Sequence, residues 1–120
     1  PSGIELSVGC ICDQGFGPVI ILSAGGVMIE FLADKVAAIA PINDVIAKGL
    51  LSELRISGLF AGYRGQPAAN EEAMVTQIVR FSQMVTLLEG VICEIEINPM
   101  ICGADGSYAV DCLVVPCKPK

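Results

Sequence analysis

Glu94, Glu96, Asn98 and Asp111 are the residues whose types and spacing could carry chemistry. Period-two alternation along Val91 to Asn98 puts Glu94, Glu96 and Asn98 on one face beside Ile92, and Val91, Cys93, Ile95 and Ile97 on the other. A hairpin closed through Gly103 to Gly106 pairs residues whose numbers sum to about 209, which sets Asn98 opposite Asp111 with Cβ atoms roughly 4.5–5.5 Å apart. A two-residue turn at Asp105-Gly106 moves the sum to about 211 and leaves the two as diagonal neighbours on the same face. A slip by one residue separates them. A carboxylate and an amide oxygen converging from adjacent strands suit Mg²⁺, a hard cation that takes one or two protein oxygens and fills its shell with water and nucleotide phosphates. Zinc would want Cys or His. The pattern leaves open the alternative that Glu94, Glu96 and Asp111 only solvate the outer face of a sheet edge.

The elements that must position these residues can be read along the chain. Ile4 to Asp13 alternates, with Ile4, Leu6, Val8, Cys10 and Cys12 on one side, and predicts a half-buried strand. A turn at Gln14-Gly15 leads into Phe16 to Leu22, an apolar run that predicts a strand covered on both faces and paired with the first. Gly25-Gly26 breaks the pattern before Val27 to Leu32 and a third strand candidate from Lys35 to Ala40, stopped by Pro41. Asn43 can cap a helix with apolar positions Ile46, Leu50 and Leu54 that ends near Arg55 to Gly58. Asn70 can cap a second helix: Glu71 and Glu72 suit its positive start, Met74, Ile78, Phe81, Val85 and Leu88 form its apolar stripe, and Gly90 ends it. Between them lies a glycine-rich loop, Gly58 to Ala69. Strands from Val91 to Asn98 and from Ser107 to Val115 follow, and Pro116 to Lys120 reads as a frayed tail. This order predicts one α+β domain, a mainly antiparallel sheet with helices packed on one side.

Composition narrows the functions. The chain has 120 residues, 53% of them hydrophobic and 17% charged, with a net charge of −6 and no histidine. Without a basic cluster there is no nucleic-acid surface. The longest apolar stretch, Pro18 to Ile29, is broken by Ser23, Gly25 and Gly26 and falls short of a membrane span, and no signal peptide opens the chain, so a cytoplasmic location is expected. The six cysteines sit mostly in apolar runs and read as reduced, buried thiols. Cys10-x-Cys12 reads as core packing, with no second pair at metal-ligand spacing.

Glu94-Ile-Glu-Ile-Asn-Pro-Met resembles the Glu-Leu-Asp-Ile-Asn-Pro-Leu segment of NDP-forming acyl-CoA synthetases, acetate-CoA ligase (ADP-forming) among them, and a related segment of succinyl-CoA synthetase β chains. Gly3-Ile-Glu-Leu, Val8-Gly9, Asp13, Phe16-Gly-Pro-Val19, Gly25-Gly26 with Glu30, Gly62-Tyr-Arg-Gly65 and Ala109-Val-Asp111 resemble landmarks of the same enzymes in the same order. The set covers nearly the whole chain. It implies the C-terminal part of an ATP-grasp domain, residues 1–115, that binds Mg²⁺ and ATP. By the same resemblance Asn98 and Asp111 match the magnesium ligands, and Glu96 falls beside the phosphoryl-transfer centre. Gly25 and Gly26 match a glycine turn that could face phosphate, and Arg64 could stabilise phosphate charge. Each has a plainer reading, as a structural turn and a solvated loop arginine. Glu5 and Glu30 match acidic landmarks but are equally well explained as polar strand residues.

In the resembling enzymes ATP phosphorylates a histidine, and acyl phosphate and CoA exchange through it to give an acyl-CoA. With no histidine here, the resemblance implies that the phosphohistidine, the CoA and acyl phosphate sites and the remaining ATP-grasp lobe belong to other domains or subunits of an oligomeric parent, and that the chain alone is inactive. Two other readings stand beside it. One is a catalytically silent ATP-grasp module with a regulatory or assembly role, as in synthetase-like protein acetyltransferases. The other is a stand-alone protein with an acidic metal-binding surface.

Overall fold

The computed structural model describes residues 3–24, 34–62 and 68–118. The opening alternation forms β1 (Ile4–Asp13), which buries Leu6, Val8 and Cys10 on one face. Asp13 closes a tight hairpin: its Oδ1 accepts from the backbone N–H groups of Gly15 at 2.7 Å and Phe16 at 3.0 Å. Gly17, at φ +76°, then takes a backbone shape that residues with a Cβ rarely adopt. β2 (Gly17–Ala24) returns antiparallel, with Asp13 facing Gly17 and Leu6 facing Ala24. Ile20 and Leu22 are buried while Val19 and Ile21 are half-buried, so the apolar run is covered more fully on one face than on the other. β3 (Lys35–Ile39) extends the sheet beyond β2. The segment from Val27 to Leu32 lies outside the described residues.

Asn43 caps α1 (Asp44–Glu53), its Oδ1 accepting from Ile46 N–H at 2.9 Å. The buried stripe is Ala47, Leu50, Leu51 and Leu54, whereas Ile46 is 44% exposed. Spacing of i, i+3, i+4, i+7 tracks a helix of 3.6 residues per turn, and the strict four-residue row expected from Ile46 drifts off that face. Beyond Leu54 the chain does not open into a loop. A 3₁₀ helix (Arg55–Ala61) runs through Gly58, capped from outside by the buried Asp34, whose carboxylate oxygens accept from Arg55 N–H at 2.6 Å and Ile56 N–H at 3.0 Å. α2 (Glu71–Leu87) starts as expected, with Asn70 Oδ1 accepting from Ala73 N–H at 3.0 Å, and buries Met74, Val75, Ile78, Phe81, Ser82 and Val85. Lys48 of α1 pairs with Glu72 of α2 at 2.9 Å. Ser82, wholly buried, accepts from Ile42 N–H at 3.2 Å and so ties α2 to the entry of α1.

β4 (Ile92–Cys102) is longer than the expected Val91 to Asn98 and is the strand about which the sheet is organised. One edge pairs with β1 and the other with β5 (Ser107–Ala109) and then β6 (Cys112–Pro116). The single strand expected over Ser107 to Val115 is thus interrupted at Val110 and Asp111. Register holds across the interruption: Met100 faces Ala109 and Ile97 faces Cys112, the pairing that the longer turn predicts. The sheet runs β3-β2-β1-β4 and then β5 and β6, every pair antiparallel. α1 and α2 pack with the even-numbered residues of β1 and β2 into one core, which is the expected α+β arrangement.

Three expectations need correction. The tail does not begin at Pro116, because Pro116 pairs with Ile92 and Cys117 N–H donates to Val91 O at 2.9 Å. Nor are all six cysteines buried thiols. Cys93 and Cys117 form a disulfide, Cys10 and Cys102 are buried, and Cys112 is exposed. A register shift between Ile92 and Glu94 makes Cys93 an extra residue with no partner of its own on β6, which brings it beside Cys117 just past the strand end. The same shift turns Ile92 against the core, away from the glutamate face assigned to it by simple alternation. Among the described residues no helix is long and apolar enough to cross a membrane.

Candidate functional site

Among the described residues the helices cover one face of the sheet, and the other face carries a row of polar residues. On that open face Glu96 of β4 lies between Gly9 of β1 and Leu113 of β6, and Glu94 lies between Ile11 and Val115. Asn98 N–H donates to Asp111 O at 3.1 Å, and Val110 N–H to Pro99 O at 3.0 Å, so Asn98 and Asp111 are direct cross-strand partners. Partners of this kind project their side chains to the same face. Asn98 Nδ2 donates to Glu96 Oε1 at 3.2 Å, which links the amide to the carboxylate two residues earlier. One oxygen of the exposed Asp111 accepts from Cys112 N–H at 2.8 Å, fixing the carboxylate at the mouth of β6.

A second register shift falls at Asn98. Leu6 faces Met100 while Val8 faces Ile97, so β4 carries one extra residue at Asn98-Pro99, whose peptide bond is cis. Ile95 and Ile97 point to the core before the bulge, and Met100 and Cys102 do so after it. The odd face of simple alternation therefore anchors the sheet only as far as Ile97. Asn98 is exposed at the changeover.

Beside the pair the open face holds a depression of about 140 Å³, whose lining includes Glu94, Glu96, Gly9, Ser7, Ser23 and Lys35. Ser7 faces Ser23 across β1 and β2, and Ser23 faces Lys35 across β2 and β3. Sequence reasoning missed Ser7, Ser23 and Lys35. The hairpin register after Asp13 carried the signal, since it fixes Ser7 against Ser23.

Of the residues singled out in the sequence, Glu96 and Asn98 meet through their side chains and Asp111 meets Asn98 through the backbone. Glu5 is exposed on β1 opposite Ile101. Gly25, Gly26, Glu30 and Arg64 lie outside the described residues. On the helix side, Cys12 donates to Ile92 O at 3.2 Å, and burial, with the neighbouring Cys12, pushes the Cys10 thiol up to about 11. This agrees with packing by Cys10-x-Cys12. Among the described residues no group of three or more His, Cys, Asp or Glu is placed to hold a metal ion. What the open face offers is an amide and carboxylates, an all-oxygen donor set of the few-ligand kind that Mg²⁺ takes when water and phosphate complete its shell.

Residues 1–115 match the ATP-grasp domain family. The chain belongs to it. This ATP-grasp chain is 35% identical over 115 residues to the β subunit of acetate–CoA ligase (ADP-forming) I of Pyrococcus furiosus, covering 96% of the chain and 49% of that protein. It is 33% identical over 99 residues to 4-hydroxybutyrate–CoA ligase (ADP-forming) of Nitrosopumilus maritimus, covering 82% of the chain and 14% of the relative. Its ATP-grasp fold superposes with a TM-score of 0.90, at 29% identity, on a dinucleotide-forming acetyl-coenzyme A synthetase 1 of Ca. Korarchaeum cryptofilum solved with coenzyme A and Mg-AMPPCP. The match covers 97% of this chain and 54% of that one. The chain thus spans about half the length of the first of these relatives, and far less of the second.

Proposed function

We propose that this chain is the metal-binding and phosphate-binding part of an ADP-forming acyl-CoA synthetase, an acid–thiol ligase that makes acyl-CoA from a carboxylic acid, CoA and ATP. The observation that carries the reading is the direct pairing of Asn98 with Asp111 on the face that the helices leave open. Asn98 and Asp111 would hold Mg²⁺, with Glu96 fixing the Asn98 amide through its 3.2 Å contact. When bound, the ion neutralises phosphate charge during phosphoryl transfer. The protein's own share is to present one oxygen from β4 and one from the two-residue link between β5 and β6, which the Asn98–Asp111 backbone hydrogen bond holds against β4. Gly25 and Gly26 as a phosphate-facing turn and Arg64 as a charge-stabilising side chain rest on the family resemblance. So do residues 1–115 as a C-terminal subdomain and an oligomeric parent, whereas a cytoplasmic location rests on the sequence pattern alone. The CoA site, the acyl phosphate site and the phosphohistidine would come from other domains or subunits.

Asn98→Ala combined with Asp111→Ala in the assembled synthetase tests the reading. Mg²⁺-dependent protein phosphorylation from ATP is expected to fall to background while the circular-dichroism melt stays near wild type, because both residues are exposed. Phosphorylation at the wild-type rate in that variant would show that the pair is not the metal site. A wild-type protein that holds Mg²⁺ and ATP but never passes on phosphate would favour the silent module.

A further inference from the structure

Glu94 and Glu96 set an electrostatic problem that the metal pair alone does not solve. A nucleoside triphosphate laid on this face meets two carboxylates in the depression, and a single divalent ion leaves part of its charge uncompensated. The compensating group is on the opposite flank. Lys35 starts from β3, three strands away from β4 in the order β3-β2-β1-β4, yet it lines the same depression as Glu94 and Glu96. Among the described residues it is the only cationic side chain in that lining.

Register places Lys35 at one end of a polar row. Asp111 faces Asn98. On β1 the residue between Leu6 and Val8 is Ser7, which lies against the bulge at Asn98-Pro99. Ser7 faces Ser23, and Ser23 faces Lys35. The row spans four strands and the link that carries Asp111, four steps of about 4.8 Å or roughly 19 Å in all. Its metal-binding oxygens are at one end and its ammonium at the other. Ser7 and Ser23 are only 5% and 3% exposed, so they form a polar floor, and exposed Lys35 is the member able to swing onto a ligand above it.

We propose that Lys35 is a phosphate-positioning residue: its ammonium holds the phosphate chain of the nucleotide at the end away from Asn98 and Asp111, so that the chain lies along the row between two positive poles. This rests on the nucleotide reading above and adds a residue to it. A lysine in this role acts as a mobile point charge, matched to phosphate and indifferent to the base.

Isothermal titration of Mg-ATP and of adenosine into wild-type, Lys35→Met and Lys35→Arg forms of the assembled synthetase tests it, with Mn²⁺ binding alone followed by electron paramagnetic resonance. Lys35→Met is expected to weaken Mg-ATP about tenfold or more, with Lys35→Arg recovering most of the loss and the Mn²⁺ affinity within about twofold of wild type. Adenosine, which lacks phosphate, should bind all three alike. Equal Mg-ATP affinity in wild type and Lys35→Met overturns the inference and leaves the nucleotide reading standing. An equal loss for adenosine overturns it too, because the residue would then be structural. A wild-type protein that binds no Mg-ATP overturns both.

Discussion

Cys10 and Cys102 lie on the helix-covered face, and both thiols are pushed up to about 11. Burial is the first cause at each, with Cys12 adding to it at Cys10 and Glu71 at Cys102. An unfolded thiol ionises near 9.0, so between about pH 9 and 11 the folded chain holds more protons than the unfolded one. Stability is therefore complete below that window and falls as pH rises through it. Urea midpoints at about pH 8.5 and 10.5 should show the fall, and Cys10→Ala with Cys102→Ala should make it shallower. At Glu96 the relevant contrast is charge against hydrogen bonding. Glu96→Gln keeps an acceptor for the Asn98 amide and removes the negative charge, so the melt should barely move while Mg²⁺-dependent phosphorylation slows by about tenfold or more. A rate equal to wild type would leave Glu96 with a packing role only.

Asp34 shows what one side chain does for neighbouring elements. Its carboxylate caps the 3₁₀ helix at Arg55 and Ile56, and its carbonyl accepts from Ala24 N–H at 3.0 Å, so β2, the approach to β3 and the 3₁₀ helix meet at one residue. Asp34→Ala leaves two backbone donors without that partner and should cost about 1–3 kcal/mol in urea denaturation. This contact was not legible in the sequence, where Asp34 is 21 residues from Arg55 and Leu54 at the cap position has no acceptor to offer. The elements with local signals were legible. Asn43 and Asn70 cap the helices they were expected to cap, and the Asp13 turn sets the first hairpin. The pairing of Asn98 with Asp111 could be read because it needs only turn length and parity. The two bulges of β4 could not, since an extra residue is a property of two strands together and leaves no mark on either alone.

At the scale of the molecule, the described residues give the sheet one face packed against helices and one face turned away from them. At its far edge β6 is exposed along its whole length, with Leu113, Val114 and Val115 in the open. Hydrogen bonds to β4 and the Cys93–Cys117 disulfide hold this edge in place. Closing a loop over a separation of 24 residues stabilises a domain by roughly 3 kcal/mol. Cys93→Ser with Cys117→Ser should lower the urea midpoint accordingly and speed amide exchange in Cys112–Pro116 while leaving β1 and β2 protected. Uniform exchange across the sheet would show that β6 does not depend on the clasp.

The extra residue at Asn98-Pro99 has a consequence for how this strand tolerates change. Ile97 and Met100 are three positions apart and both meet the core, so β4 changes beat there while β1 beside it keeps time. Deleting one residue at that point would leave Ile97 and Met100 alternating plainly, with Leu6, Ser7 and Val8 of β1 each facing one residue. The cost falls on the opposite edge. There Ile97 faces Cys112 and Met100 faces Ala109, so Val110 and Asp111 would be left to share a single partner and the one-to-one pairing of Asn98 with Asp111 would be lost. A shortened strand should therefore keep its core and lose its pair of oxygens.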